Sequence, residues 1–198
     1  MRSEDERRAL GREISGAYMK YDPYSPLPDE AVLHLLAILR REFSNPDRGA
    51  WEQQAISGGI VALGIRLHVP PRGEMSSAQG EALAALLEFA KSPHAPIAAS
   101  AAHSLGVSKR REGISALQQI IQNDDFIDDA THAITVRGIA FRALMRIDRE
   151  AARPFVGSRA CREYLLGVEN WLRELRERNA AEERVQELID ETAWLRQT

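Results

Sequence analysis

The densest group of side chains able to do chemistry lies in the segment Asn123-Asp124-Asp125-Phe126-Ile127-Asp128-Asp129-Ala130-Thr131-His132. Carboxylates at short spacing are hard oxygen donors of the kind that hold calcium or magnesium. Asp128 and His132, four residues apart, could share a helical face and take a transition metal. The segment lacks the glycine and the distal glutamate of an EF-hand loop, and acidic residues before a helix are expected from the helix dipole alone. It reads as a solvated turn that caps the helix behind it. No metal ligand or other cofactor contact is nominated, and a bound cation stays open at this level.

The second group is cationic. Arg142, Arg146, Arg149 and Arg153 are spaced by four, three and four, which aligns them on one stripe if a single helix runs through Ile147; a break near Asp148 would split them. Such a stripe can bind phosphate or a partner's carboxylates, because a guanidinium offers planar, bidentate donors. Its structural alternative is pairing with Asp148, Glu150 and the acidic turn. The charge around it is polarised: Glu112 to Ala130 contains five acidic residues and no Lys or Arg, whereas Thr131 to Arg162 contains seven arginines against Asp148 and Glu150. The whole chain carries only -3, so no field of one sign covers it and generic adhesion to nucleic acid is not expected. Gly58-Gly59 lies inside a helical pattern with no preceding strand, so close helix packing explains it better than a phosphate-cradling loop. No nucleophile elbow occurs and no catalytic residue is nominated.

The elements that must position these residues are internal repeats. Ile97, Ala101 and Leu105 recur 39 residues later as Val136, Ala140 and Leu144, and Ala82, Leu83, Leu86 and Leu87 recur 34 residues later as Ala116, Leu117, Ile120 and Ile121. A more divergent copy precedes them. Val32, Leu35 and Leu36 correspond to Leu83, Leu86 and Leu87, while Ala55, Gly59, Leu63 and Gly64 correspond to Ile97, Ala101, Leu105 and Gly106. Units of this size cannot bury their own apolar faces and do so by stacking on neighbours. The pattern predicts helices over Asp29 to Arg41, Ala50 to Leu67, Ser77 to Lys91, Pro96 to Gly106, Gly113 to Gln122 and His132 to Ile147, with Asp29 as an N-terminal cap and essentially no strand. Changing offsets put insertions into the turns Phe43 to Ala50 and Asn123 to Ala133, and into the loop His68 to Gly80 with its Pro70-Pro71-Arg72-Gly73 breaker.

Three segments follow: residues 1–28, a short helix over Ser3 to Lys20 and a Pro-rich linker; 29–166, the repeats; and 167–198, a helical cap or interaction segment. In the last, Leu165, Val168, Leu172 and Leu175 form one apolar stripe and Val185, Leu188, Ile189 and Leu195 another that is out of phase with it. Either one helix drifts in register or two fold back at Glu177 to Ala180. Trp171 and Trp194 accompany these stripes, as a cap over Ala152, Phe155 and Leu166 or as a contact in a homodimer. The chain has 198 residues, 44% of them hydrophobic and 28% charged, as in ordinary globular proteins. No apolar run approaches the ~20 residues of a membrane span and the N-terminus MRSEDERRALGREI is unlike a signal peptide, so a cytoplasmic location is expected. The single cysteine, Cys161, reads as core packing.

The strings PIAASAAHSLGVSKRREGISALQQII and TVRGIAFRALMRIDREAARPFV resemble HEAT repeats, particularly the short bacterial HEAT-like kind. Val136-Arg137, Ala140, Ala143-Leu144 and Asp148 follow the pattern of the inner helix; Ile97 to Gly106 has Ala98 in place of the arginine. The resemblance implies an all-α solenoid of about three antiparallel helix pairs, with an N-terminal helix and C-terminal capping helices, serving as a non-enzymatic scaffold for an unidentified protein or peptide. If the second helix of each pair lines the concave face, Val61 and Ile65, His103 and Val107, and Arg142 and Arg146 form a ladder running from apolar to basic. With Arg149, Trp171 and Trp194, the residues His103, Val107, Arg142 and Arg146 are the partner-binding candidates. The alternative is a nucleic-acid-binding protein similar to the HEAT-like DNA glycosylases of alkylation repair, which rely on a strongly basic groove. Deoxyhypusine hydroxylases, built on similar repeats, need His-Glu pairs; none of the five histidines here is followed by Glu. For the similar bilin lyases no pigment pocket is marked.

Overall fold

In the computed structural model the described residues are 2–22, 25, 27–45, 49–67, 74–123, 135–177 and 182–196. The residues 124–134 of the acidic turn and 68–73 of the long loop lie outside them. All regular structure among the described residues is helical: α1 Glu4–Tyr18, α2 Asp29–Phe43, α3 Ala50–Arg66, α4 Ser77–Phe89, α5 Ala95–Ser108, α6 Ile114–Gln122, α7 Val136–Ile147, α8 Arg149–Ala152, α9 Arg159–Glu177 and α10 Glu182–Ala193. No helix among them is long and apolar enough to cross a membrane.

The helix starts follow from capping chemistry, which satisfies N–H groups left free in a first turn. Ser3 and Ser76 each accept from the backbone three residues on, while Glu6 and Gln79 reach back to complete capping boxes. Two expected starts differ. Asp29 is the first helical residue rather than a cap, because Pro28 holds the cap position and the Asp29 carboxylate instead accepts the Ser76 hydroxyl at 2.6 Å. The cap of α7 is Thr135, whose hydroxyl accepts the Gly138 N–H at 3.0 Å, and the helix runs from Val136 rather than from the expected His132; the acidic residues read as its cap lie outside the described residues.

The repeat offsets translate into contacts. α2 packs on α3, α4 on α5 and α6 on α7; α3, α5, α7 and α9 pack each on the next. Leu105 and Leu144 are fully buried equivalents. A Cβ added to Gly64 on α3 would meet Ser104 of α5 at 2.2 Å, and one added to Gly106 on α5 would meet Ala143 of α7 at 2.7 Å. Gly64 and Ser104 stand to α3 and α5 as Gly106 and Ala143 stand to α5 and α7, so one close crossing occurs twice. At the third place stands buried Met145, and α9 follows without that glycine crossing. Of the Gly58-Gly59 pair, Gly59 lies tight beneath Leu39 and Ile14, whereas Gly58 faces open space.

One hydrophobic core runs from Leu10 in α1 to Leu188 in α10 and takes in Cys161. The C-terminal segment is two helices, α9 and α10, packed on each other, and α9 runs unbroken across residues 166 and 167. Cys161, Tyr164, Leu165, Val168, Trp171, Leu172 and Leu175 form its inward stripe at helical spacing, and Trp194 also packs against the core. Leu166 falls off that stripe and is 60% exposed, contrary to the expectation that the cap covers it.

Candidate partner-binding face

The ladder residues come from three helices that the small-residue crossings hold together. Val61 of α3 and His103 of α5 line one cleft of about 610 Å³ with Gln53, Pro96 and Ile139. Ile65 of α3, Val107 of α5 and Arg146 of α7 line a second, of about 580 Å³. The second cleft thus brings Ile65, Val107 and Arg146 together, whereas the first brings together Val61 and His103 with Ile139, and not Arg142, from α7.

The arginine stripe is divided. Asp148 takes an extended conformation (φ -157°, ψ 110°), ends α7 at Ile147 and accepts the N–H groups of Glu150 and Ala151 to start α8. Arg142 and Arg146 thus sit on α7, Arg149 and Arg153 on the turn after it. Arg153 pairs with Glu150 at 2.9 Å as the local alternative foresaw, but Asp148 is taken by Arg111 at 2.8 Å. Arg142 and Arg146 find a different partner, Glu191 on α10. Arg142 donates through Nε at 2.9 Å and Nη2 at 2.7 Å, and Arg146 Nε approaches the same carboxylate at 3.4 Å. The Arg142 guanidinium also lies 5.5 Å from the centre of the Trp171 ring, an arrangement that favours a cation over the π face. With its side chain only 12% exposed, Arg142 is a built-in contact between α7, α9 and α10 rather than a free binding group. Trp194, just beyond α10, is half-buried. Arg149 is exposed and lines the second cleft with Lys109, Asp190 and Glu191.

From the sequence, Arg137 reads only as part of the Val136-Arg137 repeat pair, with no role assigned to it. Only 1% exposed, it donates to Glu163 of α9 through Nη2 at 3.1 Å and Nε at 3.2 Å, and through Nη1 to the Asn123 carbonyl at 3.3 Å. Glu163 also accepts Thr135 Oγ1 and Arg159 Nε, both at 2.7 Å. Burial pushes the Glu163 carboxyl up, but donors from Arg137, Thr135 and Arg159 outweigh it and hold the group below the usual carboxylate range. Glu42 behaves alike: burial opposes its charge, and Arg2 and Arg41 overcome that. Tyr164, fully buried in α9, is pushed well up by desolvation and then by Glu191. His103 is shifted down, first by burial and then by the charges of Arg146 and Arg142.

These shifts predict acid sensitivity in two stages. A histidine whose folded pKa is depressed is neutral in both states at high pH; as pH falls through about 6.5 the unfolded chain takes the proton first, and stability declines. Carboxylates depressed in the fold stabilise it above their unfolded pKa of about 4.3 and lose that contribution as pH falls further. Melting temperature should decline gently near pH 6.5 and steeply below about pH 4.5. His103→Gln should remove the first decline and leave the second; an unchanged first decline would contradict the assignment.

No protein-family model matches the chain, and no curated protein or solved structure matches it significantly.

Proposed function

We propose that the chain is a HEAT-like α-solenoid of three antiparallel helix pairs, working in the cytoplasm as a non-enzymatic scaffold that binds a protein or peptide along a concave face made by α3, α5 and α7. The observation that carries this reading is the alignment of Val61 with His103 and of Ile65 with Val107 and Arg146 in two clefts on the same three helices. The repeated crossing of Gly64 on Ser104 and Gly106 on Ala143 supports stacked copies, because stacking places equivalent residues in equivalent contacts. The mixture of apolar, amide and scattered cationic side chains suits a protein segment. A phosphate backbone calls for a continuous basic track, and here Arg142 and Arg146 are already answered by Glu191.

Capture from source-cell extract with the intact protein and with Val61→Glu/Val107→Glu, followed by mass spectrometry, tests the reading. The expected result is a protein recovered by the intact chain and lost with the variant, whose circular dichroism melt is unchanged. Recovery of no protein would overturn it, and a sub-micromolar, salt-sensitive gel shift with unmodified duplex DNA would overturn it in favour of the nucleic-acid alternative.

A further inference from the structure

We propose that the cleft bounded by α5, α7 and α10 is a docking site for an acidic amphipathic helix of a partner protein, an inference that rests on the scaffold reading and names the partner's chemistry. The apolar part of the site is Ile65, 47% exposed although it is a large aliphatic residue, beside half-buried Val107. Its cationic rim is Lys109 and Arg149. Lys109 ends α5 in the left-handed conformation (φ 53°), and Arg149 opens α8 immediately beyond the Asp148 break. Both side chains are exposed and neither has a carboxylate partner among the described residues.

α10 is a precedent in cis, an acidic helix that packs on α9 and reaches α7 through one carboxylate. α10 carries Val185 and Leu188 on its packed side, and its Glu191 is seated on Arg142 and Arg146. A second acidic helix beside it would answer Lys109 and Arg149 with its carboxylates and cover Ile65 and Val107 with its aliphatic side chains, as helix-in-groove recognition does. Asp190 in the same lining discriminates between ligand classes: with Glu191 answered by Arg142 and Arg146, it repels a nucleic-acid backbone, which is charged along its whole length, whereas an amphipathic helix confines its charge to one edge.

The test is a yeast-displayed library of helical peptides with randomised surface positions, sorted against the full-length chain. The expected binders carry Asp or Glu at spacings of three and four next to Leu or Ile. Their affinity should fall about tenfold or more in Lys109→Glu/Arg149→Glu and in Ile65→Glu, with unchanged melting. Lysines in place of the peptide's acids should restore binding to the charge-reversed protein; Lys109→Gln/Arg149→Gln provides a milder variant that keeps the fold. Enrichment of neutral or basic peptides, no enrichment, or binders indifferent to Lys109 and Arg149 would overturn the proposal. Binders lost instead in Val61→Glu would move the site to the other cleft and leave the scaffold reading standing, whereas absence of both peptide binders and a captured protein would remove both.

Discussion

Arg137→Met is expected to destabilise the chain by about 3 to 5 kcal/mol, because it removes one half of a buried ion pair and strands the other half. The Arg137 guanidinium is 1% exposed and is matched on three of its nitrogens by Glu163 and the Asn123 carbonyl. Its loss leaves the Glu163 carboxylate with Thr135 and Arg159 alone. The same contact ties the first turn of α7 to α9, so the effect should appear as a lower urea midpoint with an unchanged slope, the mark of lost stability without lost compactness. Because desolvating two charges is itself costly, Arg137→Met/Glu163→Leu should recover much of the loss. A single variant within about 1 kcal/mol of the parent would show that the pair contributes little.

The glycines should divide by sign. In an exposed helix interior alanine is favoured over glycine by about 1 kcal/mol, so Gly58→Ala and Gly80→Ala, where an added Cβ meets nothing within 4 Å, should stabilise the protein. At Gly64 and Gly106 the atoms in the way are Cα and Cβ of Ser104 and of Ala143, which no side-chain rotation can move aside. Gly64→Ala and Gly106→Ala should therefore destabilise by about 1 to 3 kcal/mol, since whole helices must separate to make room. Calorimetric melting of the four variants decides the matter, and stabilisation at Gly64 or Gly106 would mean that α3, α5 and α7 cross less closely than described.

Much of the helical framework was legible without coordinates. The spacing of Val32, Leu35 and Leu36, and of Leu117, Ile120 and Ile121, reports which side of a helix avoids water, a local property that survives in any helical environment. Because that stripe recurs, with offsets that change only where loops lengthen, the equivalence of Gly64 with Gly106 and of Leu105 with Leu144 could also be read directly. Helix starts were legible only to within a few residues. α2 starts behind Pro28 with no side-chain cap, and α7 starts behind Thr135 through one hydrogen bond from the Gly138 N–H, details that apolar spacing does not encode.

Partner identity was not legible. The bond from Arg137 to Glu163 spans 26 residues and that from Arg142 to Glu191 spans 49, distances over which no periodicity operates. The seven arginines between Thr131 and Arg162 look alike in one dimension. In three, Arg137 is a buried strut, Arg142 and Arg146 anchor α10, and Arg149 faces solvent. The placement of α9 and α10 beside α7 made that division, because it sets which guanidinium is closed off from water and which carboxylate, Glu163 or Glu191, lies within reach. The apolar pattern therefore determined the helices and their repetition, while the charge pattern acquired meaning only when the tertiary structure supplied each cation with its neighbours.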